Sequence, residues 1–158
     1  MHGARRFADA GLAGAAVLVL GVGAAVLLVA AELSPVLQIT VNGLPCEIAD
    51  PELAEQCSPT GAARHSWGLA VLGVLVLVMA WGAGIGASRP AGAALGIAGA
   101  AAIAIVLVGD LPDIDETGQI GLLFEAAAAA PASGFYLALA GGVTAMAAGL
   151  VGLVSTRP

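Results

Sequence analysis

The chain has 158 residues, 59% of them hydrophobic and only 10% charged, with a mean hydropathy of +1.00 and a formal net charge of −6. A soluble domain carries about 25% charged residues to wet its surface, so an ordinary water-soluble fold is excluded and lipid is the expected solvent for most of the chain. Five Arg and no Lys, scattered over four segments, form no basic patch, which argues against nucleic-acid binding. The absence of Lys reads as the bias of a GC-rich bacterial genome.

The fold expected is an all-α membrane protein, one domain over residues 1–158. It is a four-helix transmembrane bundle with a small extracytoplasmic cap of a short β-hairpin and short helices. Four apolar runs, 11–31, 67–87, 91–108 and 134–154, approach the roughly 20 residues that cross a bilayer. None contains a charged residue, and all eight Pro lie outside them, as required where backbone hydrogen bonds must close internally. The first run follows Arg5-Arg6 and ends at Val29-Ala30-Ala31, like a signal peptide. Its length exceeds an h-region of about 7–15 residues, so a retained helix is expected; the Arg pair lacks the rest of a twin-arginine signal. Small residues recur at helical spacing: Gly21 and Ala25, Gly92 and Gly96, and Gly141, Ala145 and Gly149. Such stripes let backbones approach closely, here within a single bundle or between chains.

Residues 32–66 form the first outer loop. Leu37, Ile39 and Val41 alternate with Gln38, Thr40 and Asn42, a strand signal. Asn42-Gly43 offers a hairpin turn, with residues 44–48 returning as a strand that Pro45 limits to an edge. Asp50-Pro51 reads as the cap and first residue of a short helix reaching about Gln56. Cys46 and Cys57 are the only cysteines, and on the oxidising side of a membrane they are expected to form a structural disulfide. A redox pair or a zinc site would need closer spacing or more ligands than His65 alone. Arg64, His65 and Trp67 stand where the second run begins, with Trp67 as an interface anchor and His65 as an exposed neighbour. Thr144 is the clearly polar side chain deep within a span.

Residues 109–133 form the second outer loop. Asp113, Asp115, Thr117 and Gly118 follow the opening of a calcium loop, but its twelfth position is Phe124 and Glu125 comes one residue late. A divalent cation on Asp113, Asp115, Thr117 and Glu125 is thus the lesser reading beside a solvated acidic turn. Residues 120–130, an apolar stretch ending in an Ala run before Pro131, read as a short interfacial helix.

Arg bias sets the orientation. Arg5, Arg6, Arg89 and Arg157 fall on one side with Asp9, whereas the other ten acids share the opposite side with Arg64. Both termini are therefore expected in the cytoplasm, with the chain multi-pass in the inner membrane. The layout resembles that of claudins and tetraspanins, although the claudin Gly-Leu-Trp reads Gly43-Leu44-Pro45 here and the tetraspanin Cys-Cys-Gly is missing. No functional residue follows from the resemblance.

With no catalytic constellation and no cofactor or metal motif, the expected role is non-catalytic. An acidic face of Glu47, Asp50, Glu52, Glu55, Asp110, Asp113, Asp115 and Glu116 would bind an envelope or membrane protein, or another copy of the chain. The alternative is a subunit of an oligomeric pore or small transporter.

Overall fold

The computed structural model describes residues 2–49 and 51–155, and it is 76% helical with one small sheet. Helix α1 (His2–Leu33) runs unbroken through an Ala-, Val- and Leu-rich stretch. It stops at Ser34-Pro35, because Pro35 has no N–H and disfavours helical geometry at the residue before it. Ser34 turns its hydroxyl back to donate to the Ala30 carbonyl at 2.7 Å. After the intervening short elements, α5 (Gly68–Gly84) and α6 (Arg89–Ala104) form an antiparallel pair. Ser88 caps α6 by accepting from the Ala91 N–H, with Pro90 in its first turn. The chain continues through a wide π turn (Ile105–Asp110) and a 3-10 turn (Leu111–Asp113). Helix α8 (Ser133–Ser155) ends the described chain.

Three helical segments are long and apolar enough to cross a membrane: Gly11–Leu33, Arg89–Leu123 and Ser133–Ser155. Helix α5 is equally apolar but has 17 residues, about 26 Å at 1.5 Å per residue, so the run at 67–87 is trimmed at both ends. Trp67 takes a left-handed φ of 69° before it, and Ala87 one of 47° after it.

Helix α1 packs against α5 and α8, and α6 closes the ring by packing against the same two. Backbone-to-backbone approach at glycine makes this possible. A Cβ on Gly149 would stand 2.6 Å from the Gly96 nitrogen, and one on Gly99 2.6 Å from the Gly142 carbonyl oxygen. Gly21 leaves room for the Ala80 methyl group and Gly141 for the Leu28 side chain. The small-residue spacing therefore serves contacts within the chain. Val17, Leu28, Leu69, Val76, Leu95 and Val106 fill the core. Val19, Val26, Val71, Trp81, Ile97 and Leu150 point outward, leaving helices that are apolar on both faces, as lipid-facing segments are.

The cap holds two departures from expectation. Strand β1 (Leu37–Val41) and the Asn42-Gly43 turn, with φ of 52° and 78°, form as the pattern implies. The return strand β2 is only Leu44–Pro45, and the chain enters helix α2 (Cys46–Ala49) at once. Pro45 cannot donate to the ladder, which ends the pairing there. Asp50, expected as a helix cap, lies outside the described residues; a 3-10 turn (Pro51–Leu53) then leads into α3 (Ala54–Cys57).

The second departure is larger. The expected helix over 120–130 is instead α7 (Gly118–Leu123) followed by strand β3 (Ala127–Pro131). Alanine favours helix, but the few residues before Pro131 are too short to repay helix nucleation. The open edge of β1 offers hydrogen bonds, and β3 takes them antiparallel from Leu37↔Pro131 to Val41↔Ala127. The sheet order is β2-β1-β3. Its buried face, Leu37, Ile39 and Val41, packs with Cys46, Cys57 and Ile120 in a second small core.

Glycine contacts yield a graded prediction. Gly149→Ala should lower stability by about 1–3 kcal/mol through overpacking against α6. Gly96→Ala, whose Cβ meets nothing within 4 Å, should be neutral or stabilising. Thermal unfolding in detergent measures both.

Candidate functional site

Helix α4 (Gly61–His65) carries the centre of the site. Thr60 caps it by accepting from the Ala63 N–H. At its far end Ser66 and Trp67 both adopt left-handed φ, of 50° and 69°. This strained corner lays α4 across the end of the bundle before α5 descends. Gly61 makes the approach possible, for a Cβ there would lie 2.8 Å from the Glu32 Cα.

Arg64 and His65 thereby reach the end of the α6 segment. Arg64 Nε lies 3.3 Å from Asp110 Oδ1, and its Nη2 donates to Asp113 Oδ2 at 2.7 Å. His65 Nε2 is 3.0 Å from the same Asp110 Oδ1. The π turn at Ile105–Asp110 sets Val106 and Asp110 one turn apart, both buried; such turns gather at functional positions. One guanidinium thus joins the segment after α1 to the segment after α6 through two carboxylates.

Burial makes the two bonds unequal. The Asp110 side chain is 3% exposed and that of Asp113 47%. Asp110, expected on the outer acidic face, is therefore withdrawn from it, since a buried carboxylate needs its counter-charge inside. His65, expected as an exposed interface residue, has a side chain only 11% exposed. Glu32, read as an outer-loop acid, lies within α1 and is fully buried. Glu32 Oε1 and Oε2, Asp110 Oδ2 and His65 Nδ1 are buried without hydrogen-bond partners.

The remaining acids divide. Glu52, Glu55, Asp115, Glu116 and Glu125 are exposed on the cap. Glu47 is half-buried and accepts from the Ser58 hydroxyl, beside the disulfide. The Cys46–Cys57 bond forms, with a Cα separation of 5.7 Å and both residues buried. Among the described residues no three His, Cys, Asp or Glu side chains are grouped to hold a metal, so Asp113, Asp115 and Glu125, with Thr117, do not assemble a cation shell. Asp113 is instead drawn to Arg64. Between the sheet, α3 and α7 lies an open cleft of about 250 Å³ lined by Leu37, Ile39, Gln56, Arg64, Glu116 and Gln119, among others.

Sequence reasoning missed the Glu32, Arg64, His65 and Asp110 layer. A signal was present: a single Arg among ten acids on one side has abundant partners, and Glu32 directly abuts an apolar run. Which acid Arg64 selects depends on how α4 crosses the bundle. No protein-family model matches the chain, and no curated protein or solved structure shows a significant similarity to it.

Two predictions follow from burial. Arg64→Ala leaves Asp110 buried without its counter-charge and should cost about 3–5 kcal/mol, whereas Asp113→Asn, at the exposed end, should cost under about 1 kcal/mol; thermal unfolding in detergent separates them. Cys46→Ser with Cys57→Ser opens a ring of about twelve residues and should loosen the cap by roughly 3 kcal/mol, read as faster proteolysis within 37–57 while the helices keep their dichroism.

Proposed function

We propose that this is a non-catalytic, multi-pass protein of a bacterial inner membrane that presents an acidic face to a protein partner. Four spans cross the lipid in this reading, with α5 as the shortest and both termini cytoplasmic. The carrying observation is the division of charge in the cap. Its apolar residues pack inward around the disulfide, while Glu52, Glu55, Asp115 and Glu116 face solvent. Leu122 and Leu123 are also exposed, on α7 close in sequence to Glu116. A rigid surface that combines acids with apolar side chains suits a basic, amphipathic segment, because desolvated aliphatic contact supplies affinity and charge supplies orientation. The disulfide and the three-stranded sheet support this by pre-ordering the surface, which reduces the entropy lost on binding.

The membrane arrangement has a direct check. Both native cysteines are paired, so in intact cells a membrane-impermeant maleimide should label Leu122→Cys and spare Gly86→Cys. The reverse pattern rejects the orientation. Binding is tested by a photo-crosslinking residue at position 122 in native membranes. One discrete product is expected, and it should weaken at least about tenfold when Glu52, Glu55, Asp115 and Glu116 are changed to Lys together, in line with desolvated charge pairs at interfaces. A product indifferent to that reversal, or none at all, rejects the partner reading.

A further inference from the structure

The sheet has two edges, and they are finished differently. Strand β2 is two residues long, ends in Pro45 and turns at once into α2. Shortness and proline both blunt an edge against further pairing. Strand β3 forms the opposite edge, is five residues long and carries no charged side chain. Its pairing with β1 runs through five consecutive residues without a bulge. Edges that lack charge and bulges are templates for another strand.

The register fixes which main-chain groups β3 leaves open. The Asn42 N–H donates to the Ala126 carbonyl, and the Ala132 N–H donates to the Val36 carbonyl. Bonded and non-bonded pairs alternate along an antiparallel ladder, so between these limits Ala128 and Ala130 turn their N–H and C=O groups towards β1. Ala127, Ala129 and Pro131 turn theirs to the free side. The Ala127 N–H donates to the Phe124 carbonyl, and Pro131 has no N–H. The free side therefore presents the Ala129 N–H and the carbonyls of Ala127, Ala129 and Pro131, with no backbone partner among the described residues.

Side chains and charge narrow the occupant. Ala128 and Ala130 are exposed, and their methyl groups leave the edge open to close approach. Ala127 and Ala129 lie on the opposite face, half-buried at the rim of the small core. Glu125, exposed, stands two residues before β3, and Glu116 lines the cleft beside the sheet. Arg64 beneath the cap is engaged by Asp110 and Asp113. A second copy of β3 would bring its own acids against these. A lipid phosphate only accepts hydrogen bonds, whereas most groups on this edge are acceptors themselves. An extended peptide supplies donors and acceptors in alternation, and Lys or Arg on its solvent face would meet the acids. We propose that the free edge of β3 takes an extended, basic segment of another protein as a fourth strand. The basic character rests on the partner reading above; the strand pairing rests on the open edge.

The test uses the full chain in detergent micelles, with amide exchange followed residue by residue by NMR. The probe is an acetylated, amidated heptapeptide of alternating Lys and Val. In the free protein the Ala129 amide should exchange faster than those of Ala128 and Ala130, which β1 protects. The peptide should slow exchange at Ala129 by about tenfold or more, and a fully N-methylated version should not. Ala129→Pro removes the N–H that faces the free side, which an edge strand tolerates, and should abolish binding. Should that variant not fold, exchange at Ala129 in wild type decides in its place. No binding, or a bound peptide that leaves Ala129 exchange unchanged, overturns the proposal. So does equal binding of the N-methylated peptide. The two readings fail separately. A crosslink at position 122 that persists in Ala129→Pro but weakens on the four-acid reversal overturns the strand and leaves the acidic face. Protection of Ala129 that survives that reversal keeps the strand and overturns the basic partner.

Discussion

Helix backbones meet at glycine in this protein, and much else depends on how close that contact is. Where Gly149 meets Gly96 and Gly99 meets Gly142, α6 and α8 approach to a distance that one methyl group would obstruct. Dispersion over such close surfaces holds apolar helices together when both of their faces are hydrophobic and the usual burial of one stripe is not available. The same closeness reaches the end beneath the cap, where Gly61 and Gly134 let α4 and α8 press on the last turn of α1. Polar groups caught in that layer lose water and must find partners within it.

The consequences are uneven along the bundle. Through the middle, the core is Val, Leu and Ala with no titratable group among the buried residues. Thr144 turns its hydroxyl back to the Ala140 carbonyl at 2.7 Å and so satisfies itself locally. At one end, Glu32, Arg64, His65 and Asp110 are gathered beneath the cap. Arg64 pairs with Asp110 and Asp113, and the Glu32 carboxyl is buried at the end of α1 without a hydrogen-bond partner. Among the described residues, the buried polar and charged side chains lie at one end of the bundle.

The sheet gives that end its mechanical integrity. Strand β1 follows directly from α1 and β3 leads directly into α8, so their five-residue antiparallel pairing ties two helices together above the layer. The Ala132 N–H donating to the Val36 carbonyl and that of Gly134 donating to Pro35 extend the tie down to the helix ends. The Cys46–Cys57 bond then holds the short helices that follow β2 over the inward face of β1. A surface anchored at three points in this way can keep its exposed acids in a fixed array.

Composition and local pattern alone determined the apolar helices, the helix stop at Pro35, strand β1, its Asn-Gly turn and the paired cysteines. Each rests on hydropathy, on backbone restriction or on the scarcity of alternatives within a few residues. Tertiary structure decided three things that no local signal could. The Ala run became a strand because β1 had an edge to fill, although alanine itself favours helix. Asp110 and His65 left the surface because α4 crosses the bundle end at a left-handed corner and brings Arg64 with it. Glu32 became buried because glycines on two other helices closed over the end of α1. Burial belongs to no residue alone: it is set by what the rest of the chain brings against that residue.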